Sequence, residues 1–177
     1  MRITQGSRFG LMAGLVFGAA ATRLLPHPPN FTAVGAIALF AGAHFSRKIW
    51  AFAVPLAAML VSDAVLGFSS SLPVVYATFA MIVGLGLLLR ERKTRVLPVA
   101  GAAVAAATLF YLTTNFAVWA MSGMYPKTPA GLVACYVAAI PFFGPTLAGD
   151  LSYTAVLFAG FAWAEHRFFV FRPAPAA

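Results

Sequence analysis

The chain has 177 residues, of which 62% are hydrophobic and only 9% are charged. Ordinary soluble domains are about half apolar and about a quarter charged, so this composition excludes a water-soluble globular protein. The 12 basic residues outnumber the four acidic ones, but they lie in short clusters between long apolar runs. That pattern is typical of membrane-protein loops and not of a nucleic-acid-binding surface. We therefore predict an integral protein of the lipid bilayer with no nucleic-acid partner.

The sequence lacks the motifs of several chemistries. The single cysteine, Cys135, excludes an internal disulfide and a cysteine-based zinc site. There is no GxxxxGK[ST] loop for ATP phosphates, no HExxH motif, no pair of closely spaced carboxylates and no nucleophile–base spacing. We predict a protein that is not an enzyme and that uses no cofactor or bound metal.

Six apolar runs divide the chain. A helix needs about 20 apolar residues to cross about 30 Å of hydrocarbon. The runs that meet or approach this length cover residues 9–25, 31–45, 49–68, 72–89, 96–121 and 144–164. The sequence predicts an all-α fold in which residues 1–177 form one polytopic transmembrane domain of six helices.

A seventh apolar stretch, residues 130–143, lies between the last two runs and is too short to cross a bilayer comfortably. Pro141 and Pro145 interrupt helical hydrogen bonding there. We interpret it as a broken or re-entrant half-membrane segment before the last helix, since irregular backbone is tolerated at membrane depth only when it packs against protein. A kink within one long last helix is the alternative.

The basic residues predict the orientation. With a cytoplasmic N-terminus, ten basic residues fall on inside segments and only Arg23 and Lys127 fall outside, a strong bias for short loops. A seventh crossing weakens this bias. We therefore predict a multi-pass protein of the bacterial inner membrane with both termini cytoplasmic. The N-terminus also resembles a cleavable signal peptide, with Arg2 and Arg8, an apolar core and alanines at 19–21.

If the first helix is retained, it has a stripe of small residues. Gly10, Gly14 and Gly18 are spaced four apart, which places them on one helix face. Such a face lets another helix approach closely. We predict that these glycines form a docking surface for a partner.

Polar side chains within the predicted spans gather toward the outer side of the membrane. A buried carboxylate in hydrocarbon is costly and normally faces the bundle interior or a wet cavity. Apolar walls with a few convergent polar groups are typical of a small-molecule site. We predict a ligand-binding pocket that opens to the outside and is lined by Asn30, Asp63, Tyr76, Asn115, Trp119, Asp150 and Tyr153.

Structural roles are the alternative for the same residues. Tyrosine and tryptophan are enriched at membrane interfaces whatever the function. Asp63 can pair with Arg23 as a structural ion pair, and Asp150 lies near the start of the predicted last helix, where the helix dipole stabilises a carboxylate.

Four segments resemble a known group of proteins: residues 23–46 (RLLPHPPNFTAVGAIALFAGAHFS), 62–68 (SDAVLGF), 114–120 (TNFAVWA) and 125–150. Together they resemble an uncharacterised bacterial membrane family related to the substrate-binding S components of energy-coupling factor (ECF) transporters. The resemblance implies a six-helix bundle that takes up a micronutrient, such as a vitamin or a metal-containing cofactor.

The same resemblance implies partners. S components dock to a transmembrane T component and two cytoplasmic ATPases, often through an AxxxA motif on the first helix. In this sequence Gly10, Gly14 and Gly18 occupy the matching place.

We therefore expect a substrate-binding membrane subunit for uptake of a small micronutrient. One alternative is a self-contained ion- or proton-coupled carrier or channel in which Asp63 and Asp150 exchange protons. The other is a structural assembly protein whose aromatic residues only anchor its helices.

Overall fold

The computed structural model describes residues 5–68 and 70–168, and all regular structure in these two ranges is helical. The described residues form six α-helices: α1 Gln5–Ala21, α2 Val34–His44, α3 Lys48–Leu66, α4 Leu72–Leu88, α5 Val96–Met121 and α6 Pro129–Arg167. Short 3-10 turns follow α1 and α4, at Thr22–Leu24 and Arg90–Arg92. The all-α class is confirmed. By length and composition, α3, α5 and α6 can each cross a membrane.

The helix positions follow the apolar runs closely in the middle of the chain. α3, α4 and α5 begin and end within two residues of the predicted runs. α1 starts earlier than predicted, and α2 starts three residues later than its run. The delay of α2 has a local cause, because the backbone N–H of Phe31 donates to the carbonyl of Pro28 at 3.0 Å and closes a turn before the helix.

Residues 130–143 form the first part of α6, so the prediction of a separate broken or re-entrant segment is wrong. The Thr128 side chain caps the helix, and Pro129 occupies its first turn, where a missing N–H costs nothing. Pro141 and Pro145 lie inside the helix without ending it. Prolines are tolerated within membrane helices that pack against neighbouring helices, and α6 packs along α5.

The short helix α2 lies at the centre of the bundle. All 11 of its residues are buried, and it contacts each of the other five α-helices of the described chain. Its sequence, VGAIALFAGAH, consists largely of alanine and glycine. Small side chains allow neighbouring helices to approach closely, so one short helix can be enclosed on all sides.

The contact between α2 and α4 depends on two glycines. A Cβ added to Gly86 would lie 2.5 Å from the carbonyl oxygen of Leu39 and 2.9 Å from the Cα of Gly42. A Cβ on Gly42 would collide with the carbonyl oxygen of Val83. The two backbones therefore touch, and no larger residue fits at either position without moving a helix.

Basic side chains from the α4–α5 connection cover the C-terminal end of α2. Arg90 donates from Nε to the carbonyl of Gly42 at 3.0 Å and from a second nitrogen to that of Phe45 at 2.5 Å. Lys93 Nζ donates to the carbonyl of Ala43 at 3.4 Å. These carbonyls belong to the helix end, which has no intrahelical donors for them. Burial lowers the pKa of Lys93.

Contacts at the two ends of the bundle give the helix directions. Arg8 at the start of α1 pairs with Glu165 at the end of α6, with Nε and Oε1 2.8 Å apart. Arg23, just after α1, pairs with Asp63 near the end of α3. The first contact shows that α1 and α6 run in opposite directions, and the second shows that α1 and α3 run in the same direction. With the short connections between the other helices, successive helices alternate in direction. We call the two ends of the bundle the Arg90 end and the Arg23 end.

The close α2–α4 contact predicts a large difference between two glycines of α4. An added Cβ at Gly84 meets nothing within 4 Å, so Gly84→Ala is the matched control. We expect Gly86→Ala to lower the free energy of unfolding by about 1–3 kcal/mol, the usual cost of overpacking. Gly84→Ala should be neutral or stabilising. Thermal unfolding in detergent measures both, and equal stabilities would contradict the contact.

The cap on α2 predicts a difference between two arginines of one 3-10 turn. Arg90→Met removes the guanidinium donors to the end of α2 and leaves Lys93 in place, whereas Arg92 is exposed in the same turn. We expect Arg90→Met to cost about 2 kcal/mol, since hydrogen bonds to charged groups contribute about 1.5–3 kcal/mol. Hydrogen exchange should accelerate at the amides of the last turn of α2. Equal exchange in Arg90→Met and Arg92→Met would refute the capping role.

Candidate functional site

A polar cavity of about 260 Å³ lies at the Arg23 end of the bundle. It is bounded by the α1–α2 connection, the start of α2, the end of α3, the start of α4, and the middle of α5 and of α6. Its polar wall residues are Arg23, Asn30, Thr32, Asp63, Ser71, Thr146 and Asp150, and its larger apolar ones are Met59, Leu66, Leu72, Val75 and Phe110. We refer to it below as the polar cavity.

Asp63 is buried on the cavity wall and both of its carboxylate oxygens have partners. Arg23 Nη2 lies 2.8 Å from Oδ1, and the Tyr76 hydroxyl donates to Oδ2 at 2.7 Å. Arg23 also donates to the Ser62 hydroxyl. The structural ion pair that is the alternative for Asp63 is therefore present, and it forms part of the cavity wall.

Asp150 is also buried on the wall of the polar cavity, against the N-terminus of α2. Its carboxylate lies against the backbone at Gly35, where the N–H groups of Gly35 and Ala36 interact favourably with its negative charge. A side chain at Gly35 would collide with this carboxylate. Because α6 begins at Pro129, Asp150 lies in the middle of its own helix and caps a different one.

Asn30 lies on the exposed part of the wall of the polar cavity. Its φ of 63° is in the left-handed region, which asparagine adopts more readily than most residues. Its carbonyl accepts the N–H of Thr32 at 3.1 Å. This turn places the Asn30 side chain, which is exposed, on the cavity wall rather than inside the bundle.

A smaller cavity of about 160 Å³ adjoins the polar cavity and shares Asn30, Phe110 and Thr146 with it. Asn115 lies on its wall, and the Asn115 amide donates to the carbonyl of Tyr111 at 2.8 Å. Four of the predicted site residues, from four separate parts of the chain, thus line two adjoining spaces. A fifth, Tyr76, is hydrogen-bonded to Asp63.

The remaining two predicted site residues lie elsewhere. Trp119 Nε1 donates to the carbonyl of Pro126 at 2.9 Å, and the ring faces Lys127, so Trp119 packs the end of α5 against the α5–α6 connection. Tyr153 packs its ring against Phe31, with centroids 5.9 Å apart. Neither side chain is on the wall of the polar cavity or of its smaller neighbour.

The glycines predicted to dock a partner lie on the outer face of α1. Gly10, Gly14 and Gly18 are exposed, and a Cβ at any of them meets nothing within 4 Å. The stripe is therefore not used for packing within the described bundle. In the same ranges of the chain, no three histidine, cysteine or acidic side chains lie close enough together to hold a metal ion.

The 11-residue helix α2 is enclosed by five longer helices. Three of these five, α3, α5 and α6, are long and apolar enough to cross a bilayer. These are the features of a helical membrane protein. The chain belongs to the DUF6580 family, a family of unknown function, whose sequence profile matches residues 3–175. Comparisons with curated proteins and with solved structures give no match.

The ion pair on the cavity wall predicts strong coupling between Arg23 and Asp63. Removing one partner leaves a buried charge unpaired, which typically costs about 3–5 kcal/mol. We expect Arg23→Gln and Asp63→Asn each to show a loss of that order, and the double variant to lose much less than the two losses added together. Chemical unfolding in detergent completes the cycle.

Tyr76→Phe provides the milder comparison, because it removes one hydrogen bond and leaves both charges in place. Its expected cost is about 1 kcal/mol. Losses that simply add in the double variant would mean that the two charges do not interact.

Proposed function

We propose that this protein is the substrate-binding membrane subunit of an uptake system for a small micronutrient, similar to the S components of ECF transporters. The observation that supports this most is the polar cavity, in which two buried acidic side chains and one arginine line the described wall at one end of an apolar bundle. Charged groups are costly at membrane depth, so they generally mark a ligand or ion site.

The dimensions of the site suit a small organic molecule. The polar cavity measures about 260 Å³ and its smaller neighbour about 160 Å³. Together they fall at the lower end of the range for small-molecule sites, about 300–1,000 Å³. Both are lined by a mixture of apolar walls and a few polar groups, the usual composition of such sites.

The distribution of charge supports an outward-facing site. The starts of α1, α3 and α5 and the end of α6 meet at the Arg90 end, and most basic residues lie there, among them Arg8, Arg47, Lys48, Arg92 and Arg167. By the positive-inside rule this end is cytoplasmic. We propose that the chain passes through the bacterial inner membrane six times, with the short helix α2 and the segment that precedes it together making the second passage. Both termini are then cytoplasmic, and the polar cavity opens to the outside.

The chemistry of the wall favours a ligand that is cationic or that donates hydrogen bonds. Asp63 and Asp150 place two carboxylates against the single guanidinium of Arg23 on the described wall. An ionised carboxylate can accept about four hydrogen bonds, so both retain acceptor capacity beyond their protein partners. Asn30 at the mouth adds an amide that can donate and accept.

The proposal includes partners that provide the energy for uptake. The exposed stripe of Gly10, Gly14 and Gly18 offers a smooth surface to a transmembrane T component. Cytoplasmic ATPases would then act on the complex from the Arg90 end. Co-purification of ATPases with the protein from its native membrane would support this arrangement.

Two threonines allow ligand binding to be tested without disturbing the fold. The hydroxyls of Thr146 and Thr108 both donate to the carbonyl four residues earlier, at 2.9 and 2.8 Å, but only Thr146 lines the polar cavity and its neighbour. We expect Thr146→Val and Asn30→Ala each to weaken ligand binding by about tenfold, equivalent to about 1.4 kcal/mol. Thr108→Val should bind as the wild type does.

The measurement starts with mass spectrometry of small molecules retained through gentle purification, followed by titration of a vitamin panel against the purified protein. If no molecule is retained and no vitamin binds, the substrate-binding proposal fails. Ion flux in liposomes that contain only this protein, abolished by Asp150→Asn, would instead support the self-contained carrier.

A further inference from the structure

Two further cavities lie between α4 and α5, one beside the polar cavity and the next at the side of the bundle. The middle cavity, of about 400 Å³, shares Ser71, Val75 and Phe110 with the polar cavity. The outer groove, of about 630 Å³, shares Val74, Ala117 and Met121 with the middle cavity. A continuous series of wall residues therefore leads from the buried charges to the lateral surface of the protein.

The described wall of the outer groove presents few hydrogen-bonding groups to a ligand. Its described wall contains three hydroxyl groups, and all three are used within the protein. Thr78 and Thr113 are hydrogen-bonded to each other through their hydroxyl oxygens, 2.7 Å apart. The Tyr136 hydroxyl donates to the carbonyl of Leu112 at 2.7 Å. The rest of the wall is alanine, valine, leucine, methionine, phenylalanine and proline, which suits a hydrocarbon chain.

Two hydroxyl groups on the wall of the middle cavity are likewise hydrogen-bonded within the protein. The Thr114 hydroxyl donates to the carbonyl of Phe110 at 2.6 Å, and that of Ser122 donates to the carbonyl of Val118 at 2.5 Å. Both hydroxyls are thus directed to their own helix. Polar wall residues become frequent only where the middle cavity meets the polar cavity, near the start of α4.

The outer groove opens where lipid surrounds a membrane protein. Phe116 and Met121 on its rim are 50% and 70% exposed. These side chains are on α5, whose length and composition suit a transmembrane helix. An apolar chain in the bilayer can therefore reach the groove sideways without passing through water.

We propose that the ligand of this protein is a cationic amphiphile whose head group occupies the polar cavity and whose apolar chain lies between α4 and α5. The excess of carboxylates over guanidinium groups on the described wall selects the cationic head, and the continuous apolar groove selects the chain. This inference rests on the proposed binding function and narrows its substrate class. The ligand enters laterally from the membrane.

Two photoreactive probes test this inference on the full chain in lipid nanodiscs. Both have a hexadecyl chain with a diazirine at its centre, and one ends in a primary amine while the other ends in a methyl group. Mass spectrometry identifies the labelled residues. We expect the amine probe to label the region of Val74, Ala117 and Met121 about tenfold more than the methyl probe does, as one added ionic contact would give. Excess hexadecylamine should suppress this labelling, and hexadecane should not.

A tryptophan placed in the groove provides the structural test. Ala117→Trp should reduce labelling by the amine probe to the level of the methyl probe, because the indole fills the space of the chain. Ala105 is exposed on the same helix and outside the groove, so Ala105→Trp is the matched control and should label as the wild type does. The comparison of the two probes on the wild-type protein stands even if Ala117→Trp does not fold.

Three results would overturn the inference. Equal labelling by both probes would mean that the groove holds only the chains of membrane lipids. Labelling that Ala117→Trp leaves unchanged would place the chain elsewhere. Labelling confined to residues of the polar cavity would exclude the chain from the α4–α5 groove and still be compatible with the proposed uptake of a smaller, polar micronutrient.

Discussion

The bundle depends on satisfying the two ends of the buried helix α2. Its terminal peptide groups are shielded by the surrounding helices, and an unpaired buried N–H or carbonyl costs about 1–3 kcal/mol. The Asp150 carboxylate lies against the N-terminus, and Arg90 and Lys93 donate at the C-terminus. Each charge also has the sign that the helix dipole favours at that end. The fold therefore brings α6 and the α4–α5 connection to opposite ends of the same short helix.

The polar cavity is a product of the same constraint. The Asp150 carboxylate lies against the N-terminus of α2 and also lines the cavity, while Asp63 on the same wall is held by Arg23 and Tyr76. Both acidic groups are thus positioned by contacts within the protein before any ligand arrives. A site built in this way loses little conformational freedom on binding, which favours affinity for a small molecule.

The sequence predicts much of the fold and about half of the site, for different reasons. α3, α4 and α5 follow apolar runs that end at charged or turn-forming residues, so their bounds can be read directly. The prolines of α6 misled the prediction for 130–143, because packing against α5 overrides their tendency to break a helix.

Depth along a span correctly groups Asp63 with Asp150. The depth of a residue along a span does not show which way its side chain faces around the helix. Trp119 and Tyr153 lie at the same predicted depth as the site, but neither lines the polar cavity. The need for glycine at position 35 has no signal in the sequence, since it arises from a carboxylate more than a hundred residues away.

The backbone contact between Gly42 and Gly86 has an evolutionary consequence. In most helix pairs a larger residue on one side can be accommodated by a smaller one opposite. Here both sides already have the smallest residue, so no compensating substitution exists for either position. Substitutions elsewhere in α2 and α4 must therefore leave this point of closest approach unchanged. If one helix slid along the other by a single residue, about 1.5 Å, a side chain would enter the contact. The contact therefore fixes the register of α2 against α4.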